Sequence, residues 1–209
     1  MKRRNINIRW RFNALLFVML LVTKSSAQKT ICPFVYAGFN SNSYIYEGHE
    51  DDDKSDLGWL VGGGADWLLH SHWGIKTAIE ITQKNAERLV LSTYREEHYE
   101  VKNYYVEMPV CGFYQGHLHK KWNFQIGAGG YLAYGFYGKM EGSRHSYRLY
   151  ENPMNFKRFD YGCQLMAQVR KKHWAFSVSY EKGFVKLTDK FYKTSPYNRA
   201  FHICGTYYF

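Results

Sequence analysis

The chain has 209 residues, with 28 lysines and arginines against 18 aspartates and glutamates, a formal charge of +10 and an aromatic content of 19%. Lys2, Arg3, Arg4, Arg9, Arg11 and Lys24 precede residue 28 with no acidic residue among them, so the remaining 182 residues carry only +4 and no basic stripe. That excludes nucleic acid as a partner, which would need a concentrated basic face. A mean hydropathy of −0.49 is compatible with a membrane barrel, whose lipid-facing and lumen-facing residues average to mild hydrophilicity.

The first 27 residues read as a cleaved export signal. A basic start is followed by an apolar run from Ala14 to Val22 and by Ser25, Ser26 and Ala27, a small-residue cleavage site after Ala27. Nine apolar residues rise only about 14 Å as a helix, too little to span roughly 30 Å of hydrocarbon. Residues 28–209 are expected to form one outer-membrane domain.

Four weaker strands are expected at Pro33–Asn42, Gly58–Leu69, Tyr99–Gln115 and Asn198–Phe209. Between them lie four clear alternations. From Trp73 to Lys84, Trp73, Ile75, Thr77, Ile79 and Ile81 alternate with Gly74, Lys76, Ala78, Glu80 and Thr82. A period of two over that length is a strand with one apolar and one polar face. The same pattern runs through Trp122–Phe136, Asp160–Arg170 and Trp174–Glu181. Eight strands and no amphipathic helix predict an all-β, eight-stranded antiparallel up-and-down transmembrane barrel.

The connections alternate in length. Ser43–Leu57, Asn85–His98, Gly138–Asn155 and Thr188–Tyr197 are long, whereas His70–His72, Gly116–Lys121 and Lys171–His173 are short. Outer-membrane barrels have long extracellular loops and short periplasmic turns, which puts both ends of the domain in the periplasm. Trp67, Trp73, Trp122 and Trp174 lie beside the short turns on the apolar face, as an interfacial girdle requires. Tyr36, Tyr99, Tyr104, Tyr134 and Tyr137 are candidates for the opposite girdle.

On the segments YYVEMPV (Tyr104–Val110), IGAGGYLAYG (Ile126–Gly135), RFDYG (Arg158–Gly162), SYEKGFVKL (Ser179–Leu187) and the ending NRAFHICGTYYF, the chain resembles the PorT-like small outer-membrane β-barrel proteins of the Bacteroidetes. In that ending Phe201, Ile203, Tyr207 and Phe209 share one face. The resemblance implies a Gram-negative outer-membrane location. It also implies outer-membrane lipid and lipopolysaccharide as surroundings, recognition of the last strand by the barrel assembly machinery, and a periplasmic or surface protein partner. One type within the family is tied to a secretion system for surface proteins and gliding.

The expected lumen residues are Lys76, Glu80, Glu107, Gln125, Asp160, Gln164, Gln168, Arg170 and Glu181. An eight-stranded barrel is just wide enough for side chains to fill it, so these should form an ion-paired plug rather than a pore. Ser177, Ser179 and Glu181 share a face with His202 on the neighbouring strand, the residue types of a lipid-modifying hydrolase. Hydroxyls and carboxylates are also ordinary lumen residues, and a non-enzymatic role is the reading adopted.

His70, His72, His117, His119 and His173 sit in the short turns without a carboxylate or thiol to complete a metal set. The acidic run Glu50, Asp51, Asp52, Asp53 and Asp56 departs from the calcium-loop pattern and reads as a solvated loop. Cys32, Cys111, Cys163 and Cys204 read as packed free thiols. No catalytic, cofactor-binding or metal-binding residue, and no cofactor, is expected. A small-ligand barrel with apolar residues inside would invert both faces.

Overall fold

The computed structural model describes residues 31–46, 53–92, 95–119, 121–142, 145–151, 155–188 and 196–209. The expected signal segment lies outside them. Among the described residues there are nine strands: β1 (Ile31–Tyr46), β2 (Asp53–Leu68), β3 (Trp73–Ser92), β4 (Arg95–His119), β5 (Trp122–Gly142), β6 (Ser146–Arg148), β7 (Phe159–Lys171), β8 (Trp174–Gly183) and β9 (Pro196–Tyr208). Every pairing is antiparallel. β6 only doubles back on β5, and β5 pairs with β7. The other eight strands form a closed ring, because β1 pairs with β9 as well as with β2. Closure removes the sheet edges that hydrocarbon could not hydrate.

The alternation read from the sequence sets the faces. Val35, Phe39, Ile75, Ile79, Ile81, Met108, Val110, Ile126, Leu132, Leu165, Phe176 and Ile203 are exposed on the outside. Asp66, Glu80, Lys84, Glu107, Gln125, Asp160, Gln168, Glu181, Asn198 and His202 are buried inside. A soluble ligand-binding barrel would show the reverse.

The outward residues of β4 run from Tyr104 to Tyr114. Ten residues at ~3.4 Å each on a strand tilted about 45° span about 24 Å of bilayer, the height of an outer-membrane apolar band. Trp73, Trp122 and Trp174 are exposed at the short-turn end, and Trp67 donates Nε1–H to Thr77 Oγ1 at 3.1 Å. At the other end Tyr104 packs against Trp59, Phe136 and Tyr137, with centroids 6.4, 6.3 and 5.7 Å apart, and Tyr134 packs on Phe159 at 5.0 Å.

Tyr36 does not belong to that second girdle. Even-numbered residues of β1 face inward, and the Tyr36 hydroxyl donates to the buried Glu80 carboxylate. Aromatics on both faces of this stretch, Phe34 and Tyr36 against Phe39, left its alternation ambiguous. The side chain of Tyr99 lies outside what is described.

Three of the expected long loops carry substantial strand: in Ser43–Leu57, β1 runs on to Tyr46 and β2 begins at Asp53. The β3–β4 ladder continues beyond the apolar band to the pair Ser92 and Arg95, so most of Asn85–His98 is a projecting hairpin. Within Gly138–Asn155, β5 continues to Gly142 and β6 returns beside it, Lys139 opposite Arg148. Above the lipid level neither sheet face has to be apolar, so the two-residue period fades from the sequence although the backbone ladder persists.

Candidate functional site: the filled lumen and its two rims

The lumen is built in layers. Nearest the short turns, Asp66 accepts hydrogen bonds from Tyr208 at 2.9 Å and Gln125 at 3.0 Å, and pairs with Lys76 at 2.8 Å. Lys76 and Gln168 each donate to the Tyr208 hydroxyl at 2.8 Å. Lys76 also lies 4.3 Å from the centre of the Phe34 ring, and the Arg170 guanidinium 3.8 Å from that of Tyr208.

At mid-barrel Lys84 reaches Glu107 at 2.7 Å and Glu181 at 3.0 Å. Glu181 also meets His202 Nε2 at 3.2 Å and accepts from Gln164 at 2.9 Å. Higher up, Asp160 accepts from Tyr131 at 3.0 Å and Asn198 at 2.7 Å, and Asn103 donates to Tyr105 at 2.6 Å. Every lumen residue expected from sequence faces inward, Arg170 at the rim included.

Lys84, Asp66, Asn198 and Tyr208 were not among those expectations, yet they are hubs of the network. The parity of Lys76 and Glu80 along β3 extends to Lys84, and that of Trp67 puts Asp66 inside, so the signal was present.

A cavity of about 60 Å³ lies among Tyr36, Glu80, Gln164, Ser177, Ser179 and His202. It has room for a few water molecules, against the 300–1,000 Å³ usual for organic ligands. Ser179 stands opposite His202 in the β8–β9 ladder, and Glu181 contacts that histidine. The three residue types of a hydrolytic triad are therefore adjacent. Among the hydrogen bonds of the described residues none joins Ser179 to His202, and His202 is only 2% exposed.

The far mouth is closed by an apolar cap. Tyr44, Ala86, Val101 and Met140 from four strands surround Leu149, Phe156 and Leu187 from the connections after β6 and β8, all of them buried. Backbone bonds knit these segments together: Phe156 N to Leu149 O at 2.7 Å, Lys157 N to Leu187 O at 2.7 Å, and Leu187 N to Pro196 O at 2.9 Å. Tyr150 reaches down beside Gly135, where a Cβ would collide with its hydroxyl, and Arg158 lies 4.4 Å from the centre of its ring. Leu149 lies within the expected loop Gly138–Asn155, whereas Phe156 and Leu187 fall just outside the expected loops and belong to no expected strand. Burying each contributes roughly 1.5–3 kcal/mol.

Outside the cap the projecting sheet carries exposed ion pairs. Lys102 meets Glu100 at 3.2 Å and Glu141 at 3.7 Å, and Arg148 meets Glu151 at 3.0 Å. The hydrogen bond from Lys139 holds the Glu141 carboxyl below its ordinary value, and the lysine is raised in turn by the same bond.

At the short-turn rim Ser71 Oγ lies 3.0 Å from His70 Nδ1 and 2.9 Å from His72 Nδ1. His117 bonds Asn123 at 2.6 Å, and His173 Nδ1 lies 2.9 Å from Tyr208 O. Among the described residues no three metal-ligating side chains converge. All four cysteines are free thiols: Cys111 and Cys204 buried, Cys32 half-buried, Cys163 exposed on the lipid face. Of the acidic run, Asp56 accepts the Leu57 amide at 2.7 Å; Glu50, Asp51 and Asp52 lie outside the described residues.

Several solved structures are similar in fold. The Yersinia pestis attachment invasion locus protein Ail shares 12% identity over 85% of this chain and 98% of its own, with a TM-score of 0.43. Neisserial surface protein A shares 9% over 85% and 97%, at 0.48. OprG from Pseudomonas aeruginosa shares 12% over 87% and 97%, at 0.49. No curated protein matches. The family model described as "outer membrane protein beta-barrel domain" matches residues 27–189, and the chain belongs to that family.

Proposed function

We propose that the protein is a non-enzymatic, non-conducting outer-membrane barrel that works through the surfaces at its two ends, as a structural, adhesion or secretion-associated component of the PorT-like kind. The observation that carries this reading is the lumen, filled with paired polar side chains and covered by the Leu149, Phe156 and Leu187 cap. With no path through the middle, chemistry is left to the projecting β3–β4–β5 sheet on one side and the short turns on the other. Lipid and lipopolysaccharide surround the band, the outward aromatic face of β9 suits the barrel assembly machinery, and a protein partner meets one of the two ends.

Current recording across planar bilayers tests the reading. The intact barrel is expected to give no discrete conductance steps. Steady open-channel current would overturn it.

The adjacency of Ser179, His202 and Glu181 favours a second reading, a lipid-modifying enzyme. Its test is the lipid composition of the parent cell with Ser179→Ala in place of the natural protein. A changed acyl pattern would support the enzyme, and an unchanged one removes it.

A further inference from the structure

The charge of this barrel is polarised along its axis. None of the chain's 18 acidic residues falls within three positions of the three short turns, whereas Lys120, Lys121, Arg170, Lys171, Lys172 and five histidines lie in or beside them. Among the described side chains, the acidic residues lie in the lumen or at the far end.

On the outer wall at this rim, the ladder pairs Trp122 with Lys171 across β5 and β7, and Lys171 with Trp174 across the following turn. The two indoles flank a groove of about 590 Å³ whose upper part is lined by Lys171, Lys172 and His173 and whose lower part is lined by Val169 and Phe176. Lys171 Nζ lies 5.1 Å from the centre of the Trp122 ring, so its charge is held at the level of the interfacial girdle. Lys172 adopts a φ of 56°. That left-handed turn position is cheapest for glycine or asparagine, so a lysine is held there at a backbone cost.

We propose that this groove binds an anionic glycerophospholipid of the periplasmic leaflet, its phosphate between Lys171 and Lys172 and its acyl chains along Val169 and Phe176. The arrangement has the two parts such a ligand needs: cations at headgroup depth, with no carboxylate side chain beside them, above an apolar strip that enters the hydrocarbon. The proposal rests on the membrane-barrel reading. Two lysines at an anionic surface favour an anionic over a zwitterionic headgroup by on the order of tenfold.

The test reconstitutes the barrel in phosphatidylcholine bilayers and titrates its tryptophan fluorescence with acyl-brominated phosphatidylglycerol or acyl-brominated phosphatidylcholine. Quenching by brominated phosphatidylcholine reports burial in the bilayer itself, so loss of the membrane reading is seen separately from loss of headgroup preference. The protein is expected to be quenched at roughly tenfold lower mole fraction of the phosphatidylglycerol. Lys171→Gln with Lys172→Asn should bring the two curves together, while Lys102→Gln with Lys139→Gln at the opposite end should leave them apart. Asparagine tolerates the left-handed turn, so Lys172→Asn alone should fold normally and lose part of the preference. Coincident curves for the unaltered protein, or a preference that survives the Lys171 and Lys172 changes, would overturn the proposal.

Discussion

Tyr208 on β9 donates its phenolic hydrogen to Asp66 on β2 across 2.9 Å, and its oxygen accepts from Lys76 and Gln168. The last strand is thereby tied to β2, β3 and β7 through one hydroxyl, besides its ladders to β1 and β8. Tyr208→Phe keeps the ring under Arg170 but leaves the Lys76 and Gln168 donors short of an acceptor. A loss of about 1–3 kcal/mol is expected, measured as a lower midpoint of urea unfolding in lipid vesicles.

Lys84 pairs with both Glu107 and Glu181. Lys84→Met removes the cation and leaves two buried carboxylates without it, at a cost of about 3–5 kcal/mol. The triple change of Lys84, Glu107 and Glu181 to methionine, glutamine and glutamine should recover most of the loss. Unfolding midpoints of the two variants check both statements.

Ile79 and Ile126 are 63% and 54% exposed on the outer wall. Arginine at either place faces hydrocarbon and should cost about 2–4 kcal/mol if the site is at mid-bilayer. Reduced insertion into vesicles is the expected readout, and an unchanged yield would argue that the outer wall does not meet lipid.

Gly129 faces the lumen, and an added Cβ would collide with the backbone oxygen of Val110 on the paired strand. That atom cannot swing aside as a side chain would. Gly129→Ala should destabilise the barrel by roughly 1–3 kcal/mol, read as a lower temperature for loss of the compact form on a gel.

Glu141 is partly exposed on the projecting sheet, and its carboxyl is held below its ordinary value by the hydrogen bond from Lys139. A depressed carboxylate contributes stability above its unfolded-state value and loses it as the pH falls through its folded-state value. Acid should therefore loosen the projecting end of the β4–β5 ladder, where Glu141 also meets Lys102, and leave the band intact. Carboxyl titration by NMR should place Glu141 below an ordinary glutamate, and Lys139→Gln should return it to the usual range.

The barrel was legible wherever one face of a strand meets lipid. Trp73–Lys84 and Asp160–Arg170 alternate because hydrocarbon on one side and packed polar groups on the other impose a strict period of two. The signal failed where that contrast ends. Residues 85–92 continue β3 as a hairpin but meet no lipid, so their alternation no longer marks a strand. Tyr36 faces inward from a stretch with aromatics on both faces. The lumen residues followed from parity alone, whereas their partnerships did not: Lys84 with Glu181 and Tyr208 with Asp66 are set by barrel closure, which joins strands far apart in the chain. The cap depends on Leu149, Phe156 and Leu187 converging from separate connections, a relation without a local pattern.

Cell fractionation followed by gel mobility of unheated and heated samples tests the central claim most directly. A closed barrel in the outer membrane predicts that the protein sediments with that membrane and runs faster before heating than after. A soluble protein with a single, heat-independent mobility would contradict the account.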